Sequence, residues 1–151
     1  MKQLCTALLL FTFALSYGQG TATSKLKWLT NLEEAQNIAA KKNMPILVYF
    51  TGSDWCAPCK LLKEDFFESK KFEERSKNFV LVLIDYPRRK DLITQEQFAY
   101  NKKVIAKYNK QSTFPKIVML NTQGDEVARI SSYSYSLRDT SRYFAFLDTA
   151  I

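Results

Sequence analysis

The stretch from Ile46 to Cys59 restricts this chain more than any other. Ile46-Leu47-Val48-Tyr49-Phe50 is an unbroken apolar run of strand length, suited to a central strand buried on both faces. Thr51-Gly52-Ser53-Asp54 breaks the run. Trp55 and the pair Cys56-Ala57-Pro58-Cys59 follow, opening a helix predicted to continue through about Phe67, with Leu62, Phe66 and Phe67 inward. Cys56 falls at or just before the helix start, where unpaired N–H groups and the positive end of the helix dipole favour a thiolate. Cys59 lies one turn on, so its sulfur can reach Cys56 and displace whatever Cys56 has captured. Pro58 suits a first turn, where a missing N–H costs nothing. Trp55 sets a flat apolar surface beside the reactive sulfur.

Two other uses of the pair are weaker. As a structural staple, a four-residue loop gains only about 2 kcal/mol in the chain-entropy model. A metal site wants about four ligands, and the chain has no histidine at all. That absence also excludes Ser-His-Asp and Cys-His catalysis. Redox exchange is the reading the residues favour.

The remaining chain reads as one domain. Its 151 residues and 46% apolar content suffice for one core. Met1-Lys2-Gln3, the apolar run Leu4–Leu15 and small residues at Ser16 and Gly18 have the layout of a secretory signal peptide, with cleavage expected after Gly18. Residues 1–18 are therefore read as a leader and 19–151 as the mature domain, exported to a periplasm or secreted. Cys5 would leave with the leader, so Cys56 and Cys59 remain where disulfides persist. The formal charge of +7 falls to +6 once Lys2 is removed. Acids interleave the bases along most of the chain. Arg88-Arg89-Lys90 is the one tight basic cluster, and it reads as a surface loop rather than a nucleic-acid or lipid contact.

Hydrophobic spacing supplies the other elements. A short edge strand lies within Ser24–Thr30. Asn31 caps a helix that continues to Lys42 and stops at Asn43-Met44-Pro45. A short helix spans Ser69–Lys77, and a buried strand spans Phe79–Ile84, closed by Asp85. Tyr86–Thr94 is a loop. Gln95–Asn109 forms an amphipathic helix with Phe98, Val104, Ile105 and Tyr108 inward. Ile117–Leu120 and Glu126–Ile130 make a hairpin around Asn121–Gly124. Ser131–Ser136 is a loop, and Leu137–Ile151 a closing helix, inward on Tyr143, Phe144 and Leu147. This order predicts an α/β fold, a mixed sheet with helices on both faces.

Phe50-Thr51-Gly52-Ser53-Asp54-Trp55-Cys56-Ala57-Pro58-Cys59-Lys60 resembles the active-site segment of the thioredoxin superfamily. Thr113-Phe114-Pro115 before the strand Ile117–Leu120 resembles its second signature, and Asn121–Val127 the hairpin that follows. The resemblance covers roughly residues 26–150. The loop Thr51–Asp54 and the segment Glu68–Asn78 are closer to exported thioredoxin-like proteins, including the soluble domains of thiol:disulfide interchange proteins. It implies a thioredoxin fold, a cis Pro115 beside the cysteines, and a Phe114 backbone open to strand-like pairing with a substrate. It also implies Cys56 as nucleophile, Cys59 as resolving residue, a redox-active Cys56–Cys59 disulfide, and Trp55, Ala57, Pro58, Phe114 and Pro115 as the surface that meets clients. Two positions depart from the family. Tyr49 stands where a buried aspartate would serve Cys59, and about Leu81 where its lysine neighbour would be. Losing both leaves no lone buried charge. Asp54, Glu64 or water are the replacement bases the sequence offers. No glycine precedes Phe114-Pro115.

These readings combine into an exported thiol–disulfide oxidoreductase acting on protein disulfides. Ala57-Pro58 favours the reductase direction, with a membrane electron donor as the implied partner. No dissociable cofactor, metal or nucleic acid is expected, and the chain is expected to be a monomer. An oxidase or isomerase on the same site is one alternative, and a binding module with a regulatory disulfide another.

Overall fold

The computed structural model describes residues 26–149. The leader segment 1–18 with Cys5, the residues Ser24 and Lys25, and the last two residues fall outside that range. In chain order come β1 (Trp28–Leu29), α1 (Leu32–Lys42), β2 (Ile46–Thr51), α2 (Ala57–Leu62), a π-helical segment (Lys63–Phe67) and α3 (Lys70–Ser76). They are followed by β3 (Val80–Asp85), α4 (Gln95–Tyr108), β4 (Lys116–Leu120), β5 (Glu126–Ser131) and α5 (Ser141–Asp148).

The strands form one sheet in the order β1-β3-β2-β4-β5, with β2 in the middle. It runs parallel to β3, setting Tyr49 beside Leu83, and antiparallel to β4, setting Tyr49 beside Ile117 and Phe50 beside Lys116. Alternation along β2 then feeds two cores. Ile46, Val48 and Phe50 pack with Leu32, Ala35 and Ala39 of α1 and Val104, Ile105 and Tyr108 of α4. Leu47 and Tyr49 pack with Leu62, Phe66, Phe67 and Phe72 on one side of the motif, and with Tyr143, Phe144 and Leu147 of α5. All six residues of β2 are buried, as a strand covered on both faces requires. This is the mixed, doubly covered α/β thioredoxin fold expected from the sequence.

Local chemistry sets the ends. Asn31 Oδ1 accepts the Glu34 N–H at 2.8 Å and starts α1. Asn43, in the left-handed region at φ 51°, ends it before Pro45. Ser69 and Thr94 cap α3 and α4 in the same way.

Several boundaries differ from expectation. The helix after the cysteines is not α-helical to Phe67: beyond Leu62 it widens into π turns, closed by the Glu68 N–H on the Lys63 carbonyl at 3.0 Å. Apolar spacing over five residues does not separate the two periods. The wider turn brings the adjacent Phe66 and Phe67 both into the core, where Phe66 meets Phe144 and Phe67 meets Tyr49. The closing helix begins at Ser141 rather than Leu137. Leu137 is 76% exposed, and Arg138 has φ 47°, which no right-handed helix continues through. The edge strand shrinks to two residues paired with Leu81 and Val82. Phe98 is half-buried rather than core, lying against Tyr86. The strand after Pro115 takes in Lys116, which is buried opposite Phe50. Burial, together with the nearby Arg129, holds the Lys116 ammonium below the usual lysine range.

Candidate active site

The C-terminal end of β2 delivers the chain to the cysteines. Thr51 closes the strand, and the Cys56 N–H bonds back to the Gly52 carbonyl at 2.8 Å, forming a tight loop. Cys56 is the N-cap of α2, with extended backbone geometry. The Cys59 N–H points at Cys56 Sγ from 3.3 Å. The same N–H also reaches the Cys56 carbonyl at 3.1 Å, so this first-turn donor is shared between that oxygen and the sulfur. Cys56 and Cys59 are joined as a disulfide, with Cα atoms 5.2 Å apart. They are 3% and 1% exposed, so both sulfurs sit under a cover of neighbours.

An aromatic row lies beside the motif, starting at Trp55 next to Cys56. The Phe114–Pro115 peptide bond is cis, as the resemblance implied. The Phe114 ring meets Trp55 edge-on at 5.5 Å between centroids. Behind Phe114 lies Tyr86, parallel at 6.2 Å, and behind Tyr86 lies Phe98 at 5.1 Å. The Trp55 indole is fixed by its N–H, which donates to the Tyr86 carbonyl at 2.8 Å. It lies against Gly52 so closely that a Cβ there would stand 2.5 Å from Trp55 Nε1. Glycine at position 52 is thus a requirement of close approach.

The loop after β3 braces this arrangement. Asp85, the last residue of β3, accepts the Ser53 N–H at 2.9 Å and the Ser53 hydroxyl at 2.6 Å. The Asn101 amide of α4 donates to the Asp85 carbonyl at 2.8 Å. Asn109, fully buried, donates to the Thr113 carbonyl at 2.8 Å and accepts the Thr113 N–H at 3.1 Å, pinning the turn that leads to Pro115.

Neither proposed carboxylate base is aimed at Cys59. Asp54 accepts the N–H groups of Arg88 at 3.0 Å and Arg89 at 2.9 Å. Burial raises its pKa, but those donors together outweigh it and hold the carboxyl below the usual range. Glu64 is exposed and stands 3.7 Å from the Arg138 guanidinium. Tyr49 donates its hydroxyl to the Cys59 carbonyl at 3.0 Å. Burial raises the Tyr49 pKa well above the ordinary tyrosine value, so it stays a neutral donor. Leu81 packs in the same apolar cluster as Tyr49.

The fold thus joins Cys56 and Cys59 in one disulfide and sets Trp55, next to Cys56, against Phe114, which precedes the cis Pro115. Sequence reasoning missed Tyr86, Asp85, Asn101 and Asn109. Only Asp85 carried a signal, as an acid closing a strand beside the motif. The other three act through contacts between distant segments.

Residues 27–122 match the family model described as thioredoxin-like. The chain is 30% identical over 110 residues to the disulfide bond reductase DsbH of Chlamydia pneumoniae, covering 72% of this chain and 64% of the relative. It is 28% identical over 138 residues to the thioredoxin-related protein DsbJ of the same organism, covering 88% of this chain but 38% of the relative. It thus spans under two thirds of either protein's length. A solved structure of a DsbH oxidoreductase superposes with TM-score 0.72 at 26% identity, covering 90% of this chain and 91% of that one. With Cys56 capping the helix that holds Cys59, a cis Pro115 just before β4 and a family match over residues 27–122, the chain belongs to the thioredoxin-like family, among relatives of thiol–disulfide interchange proteins.

Proposed function

We propose that the protein is an exported thiol–disulfide oxidoreductase that reduces disulfides in client proteins through Cys56 and Cys59. The observation that carries this reading is the cap geometry: Cys56 Sγ faces a first-turn N–H, and Cys59 lies within bonding reach of it. In the reduced protein that N–H and the helix start favour the Cys56 thiolate. The thiolate attacks one sulfur of the client disulfide, forming a mixed disulfide and releasing a client thiolate that takes up a proton. Cys59 then loses its proton to solvent, attacks Cys56 Sγ and expels the second client thiolate. Two electrons pass to the client, and the protein ends as the Cys56–Cys59 disulfide. A dithiol donor must return those electrons, and a membrane partner would supply that role outside the cytosol.

The reductase direction is supported by Ala57-Pro58 between the cysteines and by the similarity to DsbH, a disulfide bond reductase. Trp55, Ala57, Pro58, Phe114 and Pro115 form the client-facing surface, a reading supported by Ala57 and Pro58 lying between the cysteines and by the Trp55–Phe114 contact next to the cis Pro115. Export rests on the pattern of residues 1–18, and mass spectrometry of the mature N-terminus tests it, with cleavage after Gly18 expected. The function itself is tested by trapping. Cys59→Ser should accumulate mixed disulfides through Cys56, and Cys56→Ser should accumulate none. A Cys56→Ser protein that supports function as well as the parent would make this a binding module. A reduction potential near that of strong oxidants such as DsbA, about −120 mV, would make it an oxidase.

A further inference from the structure

The basic cluster Arg88-Arg89-Lys90 does not point away from the site. The Arg88 guanidinium lies over the Trp55 ring, 4.8 Å from its centroid. The loop is held there because Asp54, next to Trp55, accepts the backbone N–H groups of both Arg88 and Arg89. Lys60 of α2 reaches the same corner, its ammonium donating to the Asp54 carbonyl at 3.2 Å. The acids nearby already have internal donors. Asp54 holds the loop, Asp85 holds Ser53, and Asp91 is taken by the Arg89 guanidinium. Among the described residues, Arg88 and Lys60 have no carboxylate partner. Stacking on an indole uses the face of a guanidinium and leaves its in-plane N–H donors free for a bidentate carboxylate.

We propose that Arg88 and Lys60 form a cationic rim that selects protein clients carrying an aspartate or glutamate beside the cysteine under attack. This rests on the oxidoreductase function proposed above. The aromatic wall of Trp55 and Phe114 gives any client apolar contact without regard to charge. The rim adds the discrimination, because a carboxylate one or two residues from the client sulfur meets Arg88, held over Trp55, and Lys60, held on the carbonyl of the preceding Asp54. The attraction acts at a solvent-exposed edge, so it speeds encounter and weakens with salt.

The test compares two disulfide-bridged peptides that differ only in glutamate or glutamine flanking the cysteines. Each is reduced by the dithiol form of the full chain, and second-order rates are measured at low and high salt. The expected result is a glutamate-peptide advantage of about threefold to tenfold in dilute buffer, largely gone at about 0.5 M salt. Arg88→Gln should lower the ratio, Arg88→Gln with Lys60→Gln should bring it close to one, and Arg88→Glu should invert it. Lys42→Glu, at the end of α1 and the opposite end of β2, makes the same change in net charge as Arg88→Glu and should keep the parent ratio. Equal parent rates on the two peptides would overturn the proposal while leaving the exchange reaction intact. No reaction with either would overturn the oxidoreductase reading instead. A Lys42→Glu loss as large as that of Arg88→Glu would reduce the effect to overall basicity and also overturn it. Sedimentation with phosphatidylglycerol vesicles at physiological salt, abolished by Arg88→Glu and joined to equal peptide rates, would assign the cluster to lipid headgroups and reject the client rim.

Discussion

The Tyr49 hydroxyl donates to the carbonyl oxygen of Cys59 at 3.0 Å, tying the central strand to the helix that carries the disulfide. Tyr49 sits among Trp28 and Phe67 in a cluster of apolar and aromatic side chains. Tyr49→Phe should cost about 1 kcal/mol, the net value of one buried hydrogen bond, read as a lower urea midpoint. The gap should be flat below the ordinary tyrosine range. Above it, ionisation of the unfolded parent favours unfolding, and the gap should narrow. Tyr49→Asp should cost about 3 kcal/mol or more, since it buries a carboxyl without the lysine that Leu81 replaces.

Gly52 underlies the Trp55 indole, and a methyl group there has no room. Gly52→Ala should push the ring off its bond to the Tyr86 carbonyl. The expected signs are a red shift of the Trp55 emission and a stability loss of about 1–3 kcal/mol. Trp28→Phe in both backgrounds isolates the Trp55 signal. An unshifted spectrum would mean that the loop relaxes without moving the indole.

Asp65, in the π-helical segment, receives the Arg138 guanidinium and the Tyr133 hydroxyl, the latter at 2.6 Å. Those two bonds, Arg138 first, hold its carboxyl below the usual range. Near pH 4 the folded state therefore binds fewer protons than the unfolded chain. The stabilisation is present above the ordinary aspartate pKa and is lost as pH falls through the lowered folded value. Asp65→Asn should lower Tm at pH 7, and its gap from the parent should close in strong acid. A gap that persists there would assign the effect to packing.

The fold was legible where patterns are local. The apolar run of β2, the Asn31 cap, the turn before β5 and the spacing of Tyr143, Phe144 and Leu147 each declare themselves within a few residues. So did the cysteine pair and its helix start. The π turns after Leu62 were not legible, because Phe66 and Phe67 suit either helical period over so short a stretch. The start of α5 was misplaced because Leu137 continues the apolar spacing, while the left-handed Arg138 that ends it reaches Asp65, far back in the chain. The site's support shows the same limit. Tyr86 behind Phe114, Asn101 on Asp85 and Asn109 on Thr113 depend on where α4 packs, and spacing along the chain does not carry that. Arg88 was read correctly as part of a surface loop, but its place over Trp55 comes from Asp54 holding the loop's backbone.

The most direct test of the central claim is the pH dependence of alkylation of the reduced, folded chain by iodoacetamide, followed at each cysteine by mass spectrometry. Cys56 should react well ahead of Cys59, with a midpoint clearly below the value of about 8.5 for a free cysteine. A midpoint at or above that value, or a Cys56 that reacts only once the chain is unfolded, would contradict the account.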